Sequence, residues 1–548
     1  MLWYVILVLC AVSLSIQNEA DLKVVNISQG PVRGRKDPDG IYVFYNIPYA
    51  TAPTGDNKFK APLPPPNWTE PLDAIDKRVI CLQANFEMMD LSSRAMQEDC
   101  LIANVYVPDT EEKDLSVMVH IHGGAFQVGS GETITARSLI KSNKIILVNF
   151  NYRLGINGFL CLGTKDIPGN AGMKDMVALL RWVNTNIASF GGNPHDVTLV
   201  GYSAGAAAAD LLILSKSAKG LFQKVILESG SSLAEFAVQS DPLENAKMHA
   251  KTLNFTNVDD VYALEKFYKT LPYSILTQDA FSDRKDSTFM FSPCVERDAQ
   301  SGDEVFLHDT PRNILKKGEF TKVHMLNGFA NMEGLFRISK FDSWSIVMNR
   351  KFSDFLPADL TFDSDEQKKL VANQIKDFYF HGKPVGPGNV LEYVDYFTDV
   401  LFATPALRSL HLNLEAGNTD LYLYEFSFVD NDTSLVPHTT VRGAGHCAQT
   451  QIIFDWDSSL YPDDKIPSPE HEKIQKIMRE MWGNFIRSGK PVPHGSSLPP
   501  WPAVSLSSSS YMSLGETVEL RTGLLADRAT FWKNIYEKYY REPVPPKP

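Results

Sequence analysis

The sequence predicts an α/β fold with a large, mostly parallel central sheet and helices on both faces, and three observations carry that prediction. Between about residues 115 and 230, short β-branched runs alternate with helical segments, the pattern of repeated strand–helix–strand units. Those runs are mostly apolar and β-branched, as suits strands covered on both faces. From about 235 to 320 the chain turns irregular, mixing Phe, Tyr and Asp, which suits insertions over the carboxyl edge of the sheet, where ligands bind in such folds.

In chain order, the first segment is MLWYVILVLCAVSLS. Its apolar run from Leu2 to Leu14 is short for a bilayer span, and Ser13 and Ser15 are small enough for a cleavage site. A secretory signal is expected over 1–15 and one domain over 16–548, because no repeat or long linker divides the rest. Pro62 to Pro66 reads as a local extended turn. Ser116 to Ile121 (SVMVHI) and Lys144 to Asn149 (KIILVN) read as buried strands, Ala171 to Ala188 as a helix, and Val197 to Val200 (VTLV) and Lys224 to Leu227 (KVIL) as two more strands. No later stretch matches a membrane helix, and the final EPVPPKP is neither an ER-retention nor a lipid-anchor signal. An extracellular destination is therefore expected.

The formal charge is −12, with Lys and Arg scattered rather than clustered, which argues against nucleic acid or an anionic membrane surface as partner. Four Asn-x-Ser/Thr triplets, at Asn26, Asn67, Asn254 and Asn431, are candidate glycosylation sites. Of six cysteines, Cys10 lies in the signal. Cys81 and Cys100 are close enough to close a small loop, worth roughly 3 kcal/mol on the chain-entropy model. Cys161, Cys294 and Cys447 leave an odd number, so at least one free thiol is expected. With no CxxC or HExxH run, no metal site is expected. Oligomeric state is not legible.

The chemistry centres on Gly201-Tyr202-Ser203-Ala204-Gly205. A strand (VTLV) precedes it and a small-residue helical segment (AAAADLLILS) follows. A strand-to-helix turn that tight strains the backbone at Ser203, demands small neighbours and exposes the hydroxyl beside a helix N-terminus. The alternative is an ordinary tight turn. His122-Gly123-Gly124-Ala125-Phe126, also directly after a strand, can aim backbone N–H groups at an oxyanion, with Ala204 adding another. A serine hydroxyl needs a His to accept its proton and a carboxylate to orient that His. His446, in Gly443-Ala444-Gly445-His446, and Glu333, after the apolar run VHML, follow Ser203 in the order Ser, acid, His. Residue types and spacing leave His438 and His195 open as rival bases, and Asp303 and Glu304 as rival acids.

At this point the chain resembles the type-B carboxylesterase family, which includes the cholinesterases, from about Gly30 to Tyr540. The likeness is carried by Ile47-Pro48-Tyr49-Ala50, Glu98-Asp99-Cys100-Leu101, Asn104-Val105-Tyr106, the His-Gly-Gly-Ala-Phe loop, Asn151-Tyr152-Arg153-Leu154-Gly155, Pro168-Gly169-Asn170-Ala171-Gly172, Phe190-Gly191-Gly192-Asn193-Pro194, and Trp501-Pro502. The resemblance implies an α/β-hydrolase fold and hydrolysis of carboxylic esters without a cofactor. It implies Ser203 as nucleophile, Glu333 as acid, His446 as base, and Gly124, Ala125 and Ala204 as oxyanion donors. It also implies a Cys81–Cys100 disulfide and an Arg153–Asp175 salt bridge.

The chain departs from the family at Tyr202 (usually Glu), at Ala125 (the third glycine of the loop), at Gln449 (commonly acidic) and at Lys58 (Arg, pairing with Glu98). It has no cysteines between 230 and 270, where the family's second disulfide lies. Cholinesterases hold choline on a Trp between the first two disulfide cysteines, and Leu82 to Asp99 contains none. The expected substrate is thus an uncharged, lipophilic ester, such as the odorant, hormone or xenobiotic esters handled by secreted insect carboxylesterases, the nearest likeness. The alternatives are a slow-turnover sequestering esterase, a catalytically silent adhesion-type relative, and a lipase for long acyl chains.

Overall fold

The apolar runs form strands, and the exceptions lie at their ends. A computed structural model describes residues 21–76, 79–84, 94–277, 284–297, 304–457 and 467–547. The signal expected over 1–15 and the rival acid Asp303 lie outside the described residues. The strands are β1 (Leu22–Ile27), β2 (Gly30–Lys36), β3 (Ile41–Pro48), β4 (Leu72–Asp73), β5 (Val79–Cys81), β6 (Ala95–Gln97), β7 (Ile102–Pro108), β8 (Leu115–Ile121), β9 (Ile146–Phe150), β10 (Gly192–Tyr202), β11 (Lys224–Glu228), β12 (His324–Ala330), β13 (Leu421–Phe426), β14 (Ser510–Leu514) and β15 (Val518–Thr522). The strand read from Lys144 starts two residues later. Lys144 takes a left-handed φ of 51° and caps the helix before it.

Among the described residues, thirteen strands make one sheet in the order β1-β2-β3-β7-β9-β8-β10-β11-β12-β13-β14-β15, with β4 paired to β2. From β9 through β14 every pairing is parallel, and antiparallel strands flank this block. This is the predicted α/β-hydrolase architecture. Helix α1 (Ala171–Asn186) follows the predicted segment and ends in a tighter turn, Ile187–Phe190, closed by Gly191 at φ 91°. Helix α2 (Ala204–Leu214) is buried on every side, which explains its Ala, Leu and Ile content and its weak amphipathicity. Apolar cores lie on the two faces of the sheet: Leu199 and Leu227 belong to one, Val200 and Ile226 to the other.

Buried bonds pin the loops to this frame. Arg153 forks onto Asp175, Nη2 to Oδ1 at 2.6 Å and Nε to Oδ2 at 2.8 Å, and donates to the carbonyls of Lys58 and Lys60. The Lys58 ammonium instead caps the carbonyls of Lys269 and Leu271. Cys81 and Cys100 form a disulfide, as do Cys161 and Cys294, leaving Cys447 as a buried free thiol. The second bridge was not legible in spacing, since its cysteines lie 133 residues apart. Its site is shaped by Gly169 at φ 105°, where a Cβ would come within 2.6 Å of both sulfurs, and by Asn170, which bonds the backbone N–H and C=O of Cys294. Among the described residues no helix is long and apolar enough to cross a membrane.

Candidate active site

The pentapeptide forms a sharp turn between β10 and α2. Ser203 sits at φ 55°, ψ −127°, a conformation that costs a non-glycine residue on the order of 1–3 kcal/mol. The surroundings enforce it. Ser203 N–H donates to the Glu228 carbonyl at the end of β11, and Ala207 N–H returns to the Ser203 carbonyl. A Cβ on Gly201 would lie 2.3 Å from the Gly205 carbonyl oxygen, and one on Gly205 2.2 Å from that of Ile121. The small residues are therefore required by backbone contact with the adjacent strand.

The structure brings Ser203, His446 and Glu333 into one hydrogen-bonded chain. Ser203 Oγ lies 2.8 Å from His446 Nε2, and His446 Nδ1 lies 2.6 Å from Glu333 Oε2. Glu333 is fully buried just beyond β12, and its Oε1 accepts from Ala330 N–H at 2.7 Å and from the Ser229 hydroxyl. The His446 loop docks on the Glu333 loop: Met332 N–H donates to the Ala444 carbonyl, and Ala444 N–H to Asn331 Oδ1. Gly443 is needed there, since a Cβ would meet the Met332 sulfur at 2.0 Å.

The described rivals lie on the surface. His195 is exposed, and His438 is 40% exposed beside Asp342 on the surface. Glu304 is an exposed partner of Arg181.

The second loop runs directly from β8, hydrogen-bonded neighbour of β10. Gly124, Ala125 and Phe126 all have positive φ, 102°, 56° and 62°, a run of left-handed backbone. A Cβ on Gly124 would lie 2.0 Å from the Val128 carbonyl oxygen. The loop is braced by His122, whose ring stacks on Tyr152 at 4.3 Å and whose Nδ1 lies 2.9 Å from the Gly123 carbonyl oxygen. Burial pushes the His122 imidazole down to about 4, so it stays neutral.

Tyr202 stacks on buried His120 at 5.7 Å and tilts against Trp456 at 5.9 Å. Its ring covers Gly123, where a Cβ would approach within 2.7 Å. Gln449 is buried, and its Nε2 donates to Ser229 Oγ at 2.6 Å. Gln449 and Ser229 thus form a donor relay ending on Glu333. Cys447 Sγ lies 3.4 Å from His446 Nε2, but burial and the nearby carboxylates Glu333 and Glu228 push its thiol well up, so it remains protonated. Phe402 stacks on the His446 ring at 4.2 Å and Phe336 meets it edge-on at 5.2 Å. Sequence reasoning missed Ser229, Phe402 and Phe336. Only Ser229 carried a signal, its place two residues beyond the run KVIL at the carboxyl edge. All four glycosylation candidates, Asn26, Asn67, Asn254 and Asn431, are exposed.

A family model described as "Carboxylesterase family" matches residues 21–532. Juvenile hormone esterase of Heliothis virescens is 31% identical over 503 residues, covering 88% of each chain. Esterase FE4 of Myzus persicae is 30% identical over 490 residues, 86% of this chain and 84% of that one. Among solved structures, juvenile hormone esterase from Manduca sexta, with OTFP covalently attached, superposes with a TM-score of 0.83 at 29% identity, over 94% of this chain and all of that one. A PNB esterase gives 0.72 at 25% identity, over 93% and 99%.

Proposed function

This chain belongs to the carboxylesterase family and is a carboxylic ester hydrolase; on that premise we propose that it is a secreted serine esterase that cleaves uncharged, lipophilic esters through an acyl-enzyme on Ser203. The carrying observation is the unbroken chain from Ser203 Oγ through His446 to Glu333, at 2.8 and 2.6 Å.

In this reading Ser203 Oγ attacks the ester carbonyl while His446 Nε2 takes its proton, and Glu333 stabilises the imidazolium through Nδ1–H. The backbone N–H groups of Gly124, Ala125 and Ala204 receive the oxyanion. His446 then protonates the departing alcohol. Water, deprotonated by the same imidazole, attacks the acyl-enzyme and releases the acid and Ser203. The positive φ values along Gly124 and Ala125 and the position of Ala204 at the first turn of α2 support the donor assignment.

The lipophilic preference is supported by the aromatic rings beside the triad, Phe402 and Phe336 against His446. The candidate substrates are odorant, hormone and xenobiotic esters. Likeness to juvenile hormone esterases supports the hormone class. Export is supported by two disulfides, four exposed Asn-x-Ser/Thr sites and the apolar leading segment. Ser203→Ala should abolish hydrolysis of a short-chain aryl ester and block labelling by a fluorophosphonate. Substantial activity with an unchanged pH profile in the pure variant would overturn the assignment.

A further inference from the structure

One helical run grips two parts of this site. Helix α3 (Val390–Thr398) passes through a π-helical turn, Asp399–Ala403, into helix α4 (Thr404–Glu415). π-Turns are rare and gather at functional positions. The cause here is local. Pro405 lacks the N–H that an α-turn would direct to the Leu401 carbonyl, so the ladder can widen just before it. The turn is locked from behind: buried Asp399 accepts from Arg528 Nη2 at 2.6 Å and from the Tyr379 hydroxyl.

One end of the turn meets the loop that carries the acid, and the other meets the base itself. Thr398 Oγ1 accepts from Gly334 N–H, the residue after Glu333, at 2.8 Å. The approach is close enough that a Cβ on Gly334 would lie 2.0 Å from the Val394 carbonyl oxygen. Phe402, four residues on, lies flat against the His446 imidazole, 4.2 Å between centroids and 27° between planes. Phe336 closes the ring edge-on and also touches Phe402, at 6.2 Å and 88°. Phe402 lies inside the wider turn, where each residue advances by less than the roughly 100° of an α-helix, so over the four steps from Thr398 the difference adds up to several tens of degrees. A regular α-helix held by the same Thr398 contact would turn Phe402 away from the imidazole.

We propose that the π-turn makes Thr398 and Phe402 positioning residues for ester hydrolysis, Thr398 fixing the loop of the acid and Phe402 fixing the plane of the base. This rests on the reading of His446 as the base. The imidazole must point Nδ1 at Glu333 and Nε2 at Ser203 at once, so a small rotation loses both contacts. A flat ring against its face resists that rotation and still permits proton transfer in the ring plane. The stack also favours the imidazolium while it exists, through the negative face of the phenyl ring.

The test is steady-state hydrolysis of a short-chain aryl ester by Phe402→Leu, Phe402→Tyr, Thr398→Val, Thr398→Ser and His446→Ala, with thermal midpoints measured alongside. Phe402→Leu should lower kcat about tenfold with KM within twofold, and Phe402→Tyr, which restores the flat ring, should recover most of it. Thr398→Val should lose several-fold in kcat and Thr398→Ser should recover it. The proposal is overturned if Phe402→Leu keeps kcat within twofold, or if the Tyr variant falls as far as the Leu variant. Should His446→Ala remain active, the catalytic reading beneath the proposal fails instead, and the two failures are thereby distinguished.

Discussion

Glu228 offers the sharpest test of the buried frame behind the nucleophile. Its backbone carbonyl holds Ser203 N–H, while its fully buried side chain accepts from Thr450 Oγ1 at 2.5 Å and Trp482 Nε1 at 2.8 Å. Burial raises the carboxyl from 4.5 to about 7, against the opposing pull of those two donors. The folded state therefore binds this proton more tightly than the unfolded chain does. The resulting stability is fully present below pH 4.5 and is lost as pH climbs through 7. A rise of that size corresponds to about 3 kcal/mol in total, of which about 2–3 kcal/mol falls between pH 5 and pH 8. Glu228→Gln keeps both contacts, because its carbonyl can accept from Trp482 and its amide can donate to Thr450, but it cannot ionise. Urea unfolding followed by Trp fluorescence should show the variant gaining about 2–3 kcal/mol over wild type between pH 5 and pH 8. Other buried acids, Asp399 and Asp359 among them, titrate in the same window and cancel in the difference. A difference that does not change with pH would refute the reasoning.

Two further outcomes are expected. Ser229→Ala removes one donor to Glu333 Oε1 and strands the Gln449 amide, so kcat for an aryl ester should fall roughly ten- to hundredfold, from about 1.5–3 kcal/mol for a hydrogen bond to a charged group. An unchanged kcat would show that Ala330 N–H and His446 suffice to hold the acid. Replacing both Cys161 and Cys294 by Ser opens a 133-residue loop, worth about 5 kcal/mol on the chain-entropy model, against about 3 kcal/mol for the 19-residue separation of Cys81 and Cys100. Urea midpoints of the two double variants should differ accordingly, and equal losses would contradict the entropic account.

What could be read along the chain was what neighbours in sequence decide. Strand runs such as VTLV and KVIL announce a doubly covered sheet because both faces of such strands are packed, which favours apolar, β-branched residues at consecutive positions. The glycines around Ser203 announce a turn because only backbone fits against Ile121 and Gly205. Residue types and order narrowed the acid and base to a few candidates, and likeness to a family chose among them. Spacing alone could not, because His446 and Glu333 are 113 residues apart and meet only where β12 and the loop beyond β13 converge.

The rest required the tertiary structure for the same reason. The Cys161–Cys294 bridge joins segments with no local signal. The Gln449–Ser229–Glu333 relay is assembled from three segments far apart in sequence. The flat contact of Phe402 on His446 depends on a helical turn one residue wider than its sequence announces. Local chemistry determined that Ser203 stands in a strained, small-residue turn before a helix. Long-range packing decided which distant side chains complete it, because a hydrogen bond or a ring stack depends on separation in space.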